Sequence, residues 1–132
     1  MKPETGVVIL SHGSRGPGAS LADLEAISKI SAARLGNKHI AYAALQFAHP
    51  TLSEACANLV EKGVRRIVVV PFFLSTGTHV AKDIPAEIAQ LQAVYPEIEF
   101  RQARHLGSDA RLAEILLERV EEVCQNDERR AL

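Results

Sequence analysis

Short apolar runs alternate four times with longer amphipathic stretches along this chain. Residues 6–11 contain Val7-Val8-Ile9-Leu10, a continuous apolar run suited to a central parallel strand covered on both faces. Gly13, Gly16, Pro17 and Gly18 then form a loop, and Ser20 stands as N-cap of a helix to about Leu35. Gly36-Asn37 ends that helix, and Leu24, Ile27, Ile30 and Leu35 give it an apolar stripe. A second strand is predicted over residues 39–47, interrupted before Pro50, after which Thr51 or Ser53 opens a helix holding Leu52, Ala55, Cys56, Leu59 and Val60. Gly63 closes it.

Ile67-Val68-Val69-Val70, four β-branched residues in a row, is the least ambiguous strand. Residues 71–79 form a longer loop, and a third helix follows over about 81–94. Asp83 and Glu87 put negative charge in its N-terminal half, and Pro85 falls near its first turn, where a missing N–H costs little. Residues 98–103 alternate apolar and polar, which predicts an edge strand with one exposed side. Asp109 caps a last helix with Leu112, Ile115, Leu116, Val120 and Val123 along one face, and the charged tail from about residue 126 is expected to fray. The order βαβαβαβα predicts one α/β domain over residues 1–132: an open, mainly parallel four-stranded sheet with helices on both faces.

A length of 132 residues suits one domain with a real core, and 47% apolar with 23% charged residues argues against disorder. Aromatics at 5%, without Trp, provide poorly for base stacking. A net charge of −1 gives no global field toward nucleic acid or anionic membrane, so neither is an expected partner. No apolar run approaches the ~20 residues that span a bilayer. The opening Met1-Lys2-Pro3-Glu4-Thr5 meets the first strand without a signal-peptide core, and Cys56 and Cys124 form no CxxC. A cytoplasmic protein with reduced thiols is expected.

Four of the five histidines (His12, His49, His79 and His105) fall where a predicted strand has just ended. In an open parallel sheet those ends meet along one edge, where ligands bind, so distant histidines can converge there. His12 lies in Ser11-His12-Gly13-Ser14-Arg15, which is neither a phosphate-binding Walker loop nor GxGxxG. Gly13 allows close approach of a ligand, and Ser14 and Arg15 supply a hydroxyl and a cation for carboxylate or phosphate. His79 ends Ser75-Thr76-Gly77-Thr78-His79, an N–H-rich rim near a helix start, where the dipole favours the neutral imidazole that metal binding or proton acceptance needs. Gln46 and His49 flank the second strand's end, and His49 is a further metal-ligand candidate. His105 reads as a surface residue of an edge strand, while His39, Arg65 and Arg66 lie at the far end of the sheet.

Val8-Ile9-Leu10-Ser11-His12-Gly13-Ser14-Arg15, taken with Val69-Val70-Pro71-Phe72-Phe73-Leu74 through Gly77, His79 and Asp83-Ile84-Pro85, resembles the CbiX/SirB family of sirohydrochlorin chelatases. Leu45-Gln46-Phe47-Ala48-His49-Pro50-Thr51-Leu52-Ser53-Glu54-Ala55 and Leu106-Gly107-Ser108-Asp109-Ala110-Arg111-Leu112 extend the resemblance over nearly the whole chain. It implies a chelatase-like fold in the short, one-domain form that works as a homodimer. It also implies insertion of cobalt, iron or, in some members, nickel into sirohydrochlorin, for cobalamin- or siroheme-type tetrapyrrole biosynthesis. The divalent ion is then a substrate, with no prosthetic group. His12 and His79 would bind the metal and accept the pyrrole protons. Arg15, Lys82, Ser14, Ser75, Thr76, Gly77 and Thr78 would anchor carboxylates of the macrocycle. Many relatives carry a glutamate where this chain has Gln46, and an amide takes up no pyrrole proton and holds a divalent ion more weakly. A non-catalytic metal or tetrapyrrole binder of the same fold is the alternative. A phospho-site enzyme ranks last, because only Arg15 and Arg104 stand at strand ends.

Overall fold

The computed structural model describes residues 4–13 and 21–131, with His79 and 128–131 described through their backbone alone. Its elements run β1 (Thr5–Ser11), α1 (Ala22–Leu35), β2 (Ile40–Ala44), α2 (Leu52–Glu61), β3 (Arg66–Pro71), α3 (Thr78–Val94), β4 (Glu99–Gln102) and α4 (Ala110–Ala131). All four strands are parallel, in the order β2-β1-β3-β4. The chain steps one way from β1 to β2 and the other way through β3 to β4. Right-handed crossovers therefore place α1 on one face and α2 and α3 on the other.

The central position of β1 explains its unbroken apolar run. Val8 pairs with Ala41 on one side and Val69 on the other, and Leu10 with Ala43 and Pro71. Val8, Leu10, Ile67 and Val69 are fully buried in one cluster with Leu52, Cys56 and Leu59 of α2 and Ile84 and Leu91 of α3. Each such side chain contributes about 1.5–3 kcal/mol by leaving water. Ile9 and Ala44, which alternate onto the opposite face, are also buried. At the far end of the sheet, Gly36 ends α1 in the left-handed conformation, and the Asn37 amide donates to the Thr5 carbonyl at 3.0 Å.

Several boundaries differ from the expectation. The predicted cap Ser20 lies outside the described residues, and α1 begins after Leu21. β2 stops at Ala44 rather than 47, because residues 45–50 bend before the Thr51 cap. Thr51, not Ser53, caps α2, its hydroxyl accepting from the Glu54 amide at 3.1 Å. α3 begins at Thr78 instead of 81, since extended Gly77 serves as its N-cap and its carbonyl accepts from the Ala81 amide at 3.0 Å. Pro85 thus lies inside α3, past the first turn, and buried Ile84 and Leu91 hold the helix across it.

Residues 110–131 hold no Gly or Pro, are rich in Ala, Leu, Glu and Arg, and form one helix to Ala131. The apolar face of α4 is uncovered over most of its length. Residues 113–127 are all exposed, including Ile115, Leu116, Leu117, Val120 and Val123. Among the described residues no helix is long and apolar enough to cross a membrane.

Candidate active site

The parallel ladder continues past the strand ends and so fixes where the polar residues emerge. The Leu45 amide donates to the Ser11 carbonyl at 2.8 Å, the Gln46 amide to the His12 carbonyl at 3.1 Å, and the Phe72 amide to the Leu10 carbonyl at 2.7 Å. His12 therefore stands at the carboxyl edge between Gln46 and the Phe72-Phe73 segment. Its ring is exposed, with Phe73 packed edge-on at a centroid distance of 6.3 Å and an interplanar angle of 67°.

Two polar contacts fit a single neutral tautomer of His12. Nδ1 lies 3.3 Å from the Gly13 carbonyl oxygen, and Nε2 lies 3.4 Å from the Gln46 amide nitrogen. An Nδ1–H donating to the carbonyl leaves the Nε2 lone pair to accept from Gln46. That lone pair is what a metal ion or a departing proton would use. Gly13 has φ +90°, and a Cβ there would overlap the Gln46 carbonyl oxygen, so only glycine permits this approach. Phe47, next to Gln46, is also left-handed at φ +65° and half exposed.

The other predicted residues divide. Ser14 and Arg15 lie outside the described residues, as does the side chain of His79, whose backbone belongs to the first turn of α3. Ser75, Thr76, Gly77 and Thr78 form an exposed rim leading into that turn, and Lys82 is exposed. His49, the further metal-ligand candidate, is held against α2 through Nδ1, which leaves Nε2 for a ligand role. Its Nδ1 is 2.6 Å from a Glu54 carboxylate oxygen that also accepts from the Thr51 hydroxyl at 3.2 Å. The His49 hydrogen bond holds the Glu54 carboxyl below its ordinary range. Among the described residues, no three His, Cys, Asp or Glu side chains group to hold a metal ion.

Sequence reasoning missed two features of this edge. The first is an open cavity of about 950 Å³ beyond β3, into which the half-buried His105, read from sequence as a surface residue, is drawn together with Arg104, Asp109 and Arg111. Arg111 grips Asp109 through two bonds, Nε to Oδ1 at 2.9 Å and Nη2 to Oδ2 at 2.7 Å. This fork keeps the Asp109 carboxyl well below the usual range and raises Arg111 in turn. The β3 and β4 loops are latched by the Leu106 amide donating to the Phe73 carbonyl at 3.1 Å, and by Gly107, where a Cβ would overlap the Leu74 carbonyl oxygen. The sequence signals were the strand-end positions of Arg104 and His105 and the Asp109 cap that follows them.

The second feature is a cavity of about 310 Å³ shared by Gln46, Asp83 and Glu87. Burial, then the neighbouring Asp83 charge, raises the Glu87 carboxyl, whose Oε2 is buried without a hydrogen-bond partner. On the α2 side burial, then Glu87, pushes the Cys56 thiol up to about 12, which keeps it protonated and inert. Neither cavity is lined by His12.

Comparison with known proteins places these features in a family context. The CbiX family model matches residues 6–123. A sirohydrochlorin cobaltochelatase of Saccharolobus islandicus is 37% identical over 123 residues, covering 89% of this chain and 94% of the relative. One from Sulfurisphaera tokodaii is 35% identical, covering 94% and 98%. Among solved structures, a putative cobalamin biosynthesis CbiX protein from Marinobacter aquaeolei superimposes with a TM-score of 0.75 at 28% identity, covering 94% of this chain and 98% of that one. The sirohydrochlorin chelatase SirB from Bacillus subtilis subspecies spizizenii, solved with cobalt, gives a TM-score of 0.81 at 25% identity. This chain covers 50% of that SirB chain, with 90% of its own length aligned.

Proposed function

The chain belongs to the CbiX family, and from that premise we propose that it inserts a divalent metal ion into sirohydrochlorin, cobalt or iron first and nickel as a further candidate. The observation that carries this reading is the His12 imidazole, exposed at the carboxyl edge of the sheet with its Nε2 met, among the described residues, only by the neutral Gln46 amide at 3.4 Å. Sirohydrochlorin is a polycarboxylate macrocycle whose inner N–H protons must leave as a divalent ion enters. His12 and His79 present the ion from one face and accept those protons near neutral pH. Imidazole suits cobalt, iron and nickel alike, so the ligand type supports all three. Ser14, Arg15, Gln46, Ser75, Thr76, Gly77 and Thr78 bind the substrate, and the metal is cargo, not a resident cofactor.

The reading extends to a homodimer in the cytoplasm. The exposed apolar face of α4, and the span of about half a SirB chain, support a second copy as the partner. A non-catalytic binder of metal or tetrapyrrole is the second reading, favoured by one observation: the side chain beside His12 Nε2 is the Gln46 amide, which takes up no proton.

Purified protein, sirohydrochlorin and Co²⁺ or Fe²⁺ decide between them through the change in macrocycle absorption. Metal insertion faster than the uncatalysed background is expected, with the acceleration lost in His12→Ala and in His79→Ala. Binding without acceleration by any of the three metals establishes the binder. Acceleration that survives both substitutions overturns the histidine mechanism.

A further inference from the structure

We infer that the cavity beyond β3 is a carboxylate-binding subsite for the rim of the macrocycle, with Arg104 its principal contact. The inference rests on the proposed function and adds a further anchor to it, at the β4 side of the edge.

Distance sets the location. Adjacent strands are about 4.8 Å apart, so β4, two strands from β1, ends roughly 10 Å from the strand that carries His12. That is the scale from the centre of a tetrapyrrole to the ends of its carboxylate arms. A ring centred on His12 thus brings some of its acidic arms to the β4–α4 loop. The cavity there reaches the connection between β3 and α3, because Pro71, Thr76 and Ala81 are in its lining.

Charge sets the ligand class. The cavity holds two guanidinium groups, Arg104 and Arg111, against one carboxylate, Asp109, and so carries a net positive charge whatever the state of His105. The two arginines differ in what they can offer. Arg111 is pinned by its bidentate bond to Asp109, whereas Arg104 acts on Asp109 only through space. Arg104 is also exposed at the mouth. Its planar fork is suited to a carboxylate in two-point contact. Asp109 orients Arg111, itself largely exposed, as a second positive charge in the cavity lining.

The test is titration of metal-free sirohydrochlorin into wild type, Arg104→Ala, Arg104→Glu and Arg104→Lys, followed by steady-state insertion of Co²⁺. Loss of a charge-assisted hydrogen bond predicts about tenfold weaker binding and a KM raised about tenfold in Arg104→Ala. Arg104→Glu is weaker still, and Arg104→Lys intermediate because it keeps the charge without the fork. In all three, kcat stays within about twofold and Co²⁺ binding without the macrocycle is unchanged, since neither depends on the rim. Added salt weakens wild type more than Arg104→Ala.

Affinity and KM within about twofold of wild type in both Arg104→Ala and Arg104→Glu overturn the subsite and leave the chelatase reading intact. A wild type that neither binds sirohydrochlorin nor accelerates insertion overturns both. A fall in kcat at constant KM also rejects the subsite, because it would place Arg104 in the chemistry.

Discussion

The Nε2 atoms of His12 and Gln46 lie 3.4 Å apart, with the amide of one facing the lone pair of the other. A neutral donor at this position satisfies the imidazole without adding charge. A carboxylate in its place would attract a divalent ion and provide a second proton acceptor beside the first. The backbone bond from the Gln46 amide to the His12 carbonyl, at 3.1 Å, is independent of the side chain and would persist in either case.

Gln46→Glu is therefore expected to tighten Co²⁺ binding by roughly tenfold and to raise the rate of metal insertion. Metal titration and single-turnover absorption changes measure the two effects separately. A large gain in rate marks the natural chain as an attenuated chelatase. No change in either quantity would remove Gln46 from the metal's surroundings.

Gly13 offers a test of how the edge is held together. Gly13→Ala combines a forbidden backbone angle with overlap against the Gln46 carbonyl, and is expected to lower stability by about 3 kcal/mol or more. Gly36→Ala is the control, because Gly36 shares the positive φ, at +62°, but has nothing within 4 Å of an added Cβ. It should lose only about 1–2 kcal/mol. Urea unfolding of the two variants compares them directly, and equal losses would show that the contact with Gln46 carries no weight.

Helix α4 predicts assembly. Leu116 and Val120 are 61% and 51% exposed on a helix that presents the same apolar face over several turns. If the proposed dimer forms through this face, a double substitution of Leu116→Glu and Val120→Glu is expected to leave a monomer in sedimentation velocity, and to remove the concentration dependence of the melting temperature. Unchanged sedimentation would mean that α4 is not the contact surface.

The strands were legible because their burial dictates their composition. β1 and β3 must be apolar on both faces at the centre of the sheet, and Val7-Val8-Ile9-Leu10 and Ile67-Val68-Val69-Val70 are. The start of α3 was less legible. Pro85 normally marks a first turn, and it drew the predicted start past Gly77, whose role as a cap depends on its extended backbone. The Nδ1 contact of His49 was not legible, because Glu54 comes from a helix that follows a bend. The periodicity of α4 announced an apolar face, yet periodicity says only that such a face exists, not which surface covers it. The cavity around Arg104 and Arg111 was hidden for a related reason: it forms where a strand end, a helix cap and the β3 loop meet, and no local pattern encodes that meeting.

The latch between the loops after β3 and β4 has a bearing on how such a protein can change. Leu106 reaches Phe73, and Gly107 reaches Leu74, through main-chain atoms. Replacing the side chains of Arg104, His105 or Arg111 leaves that contact untouched, so the loop bearing Phe73 beside His12 keeps its position. The periphery of the pocket can thus drift toward a differently decorated ring while the central imidazole remains in register. Recognition and chemistry are free to vary separately, and Gly107 is the joint between them.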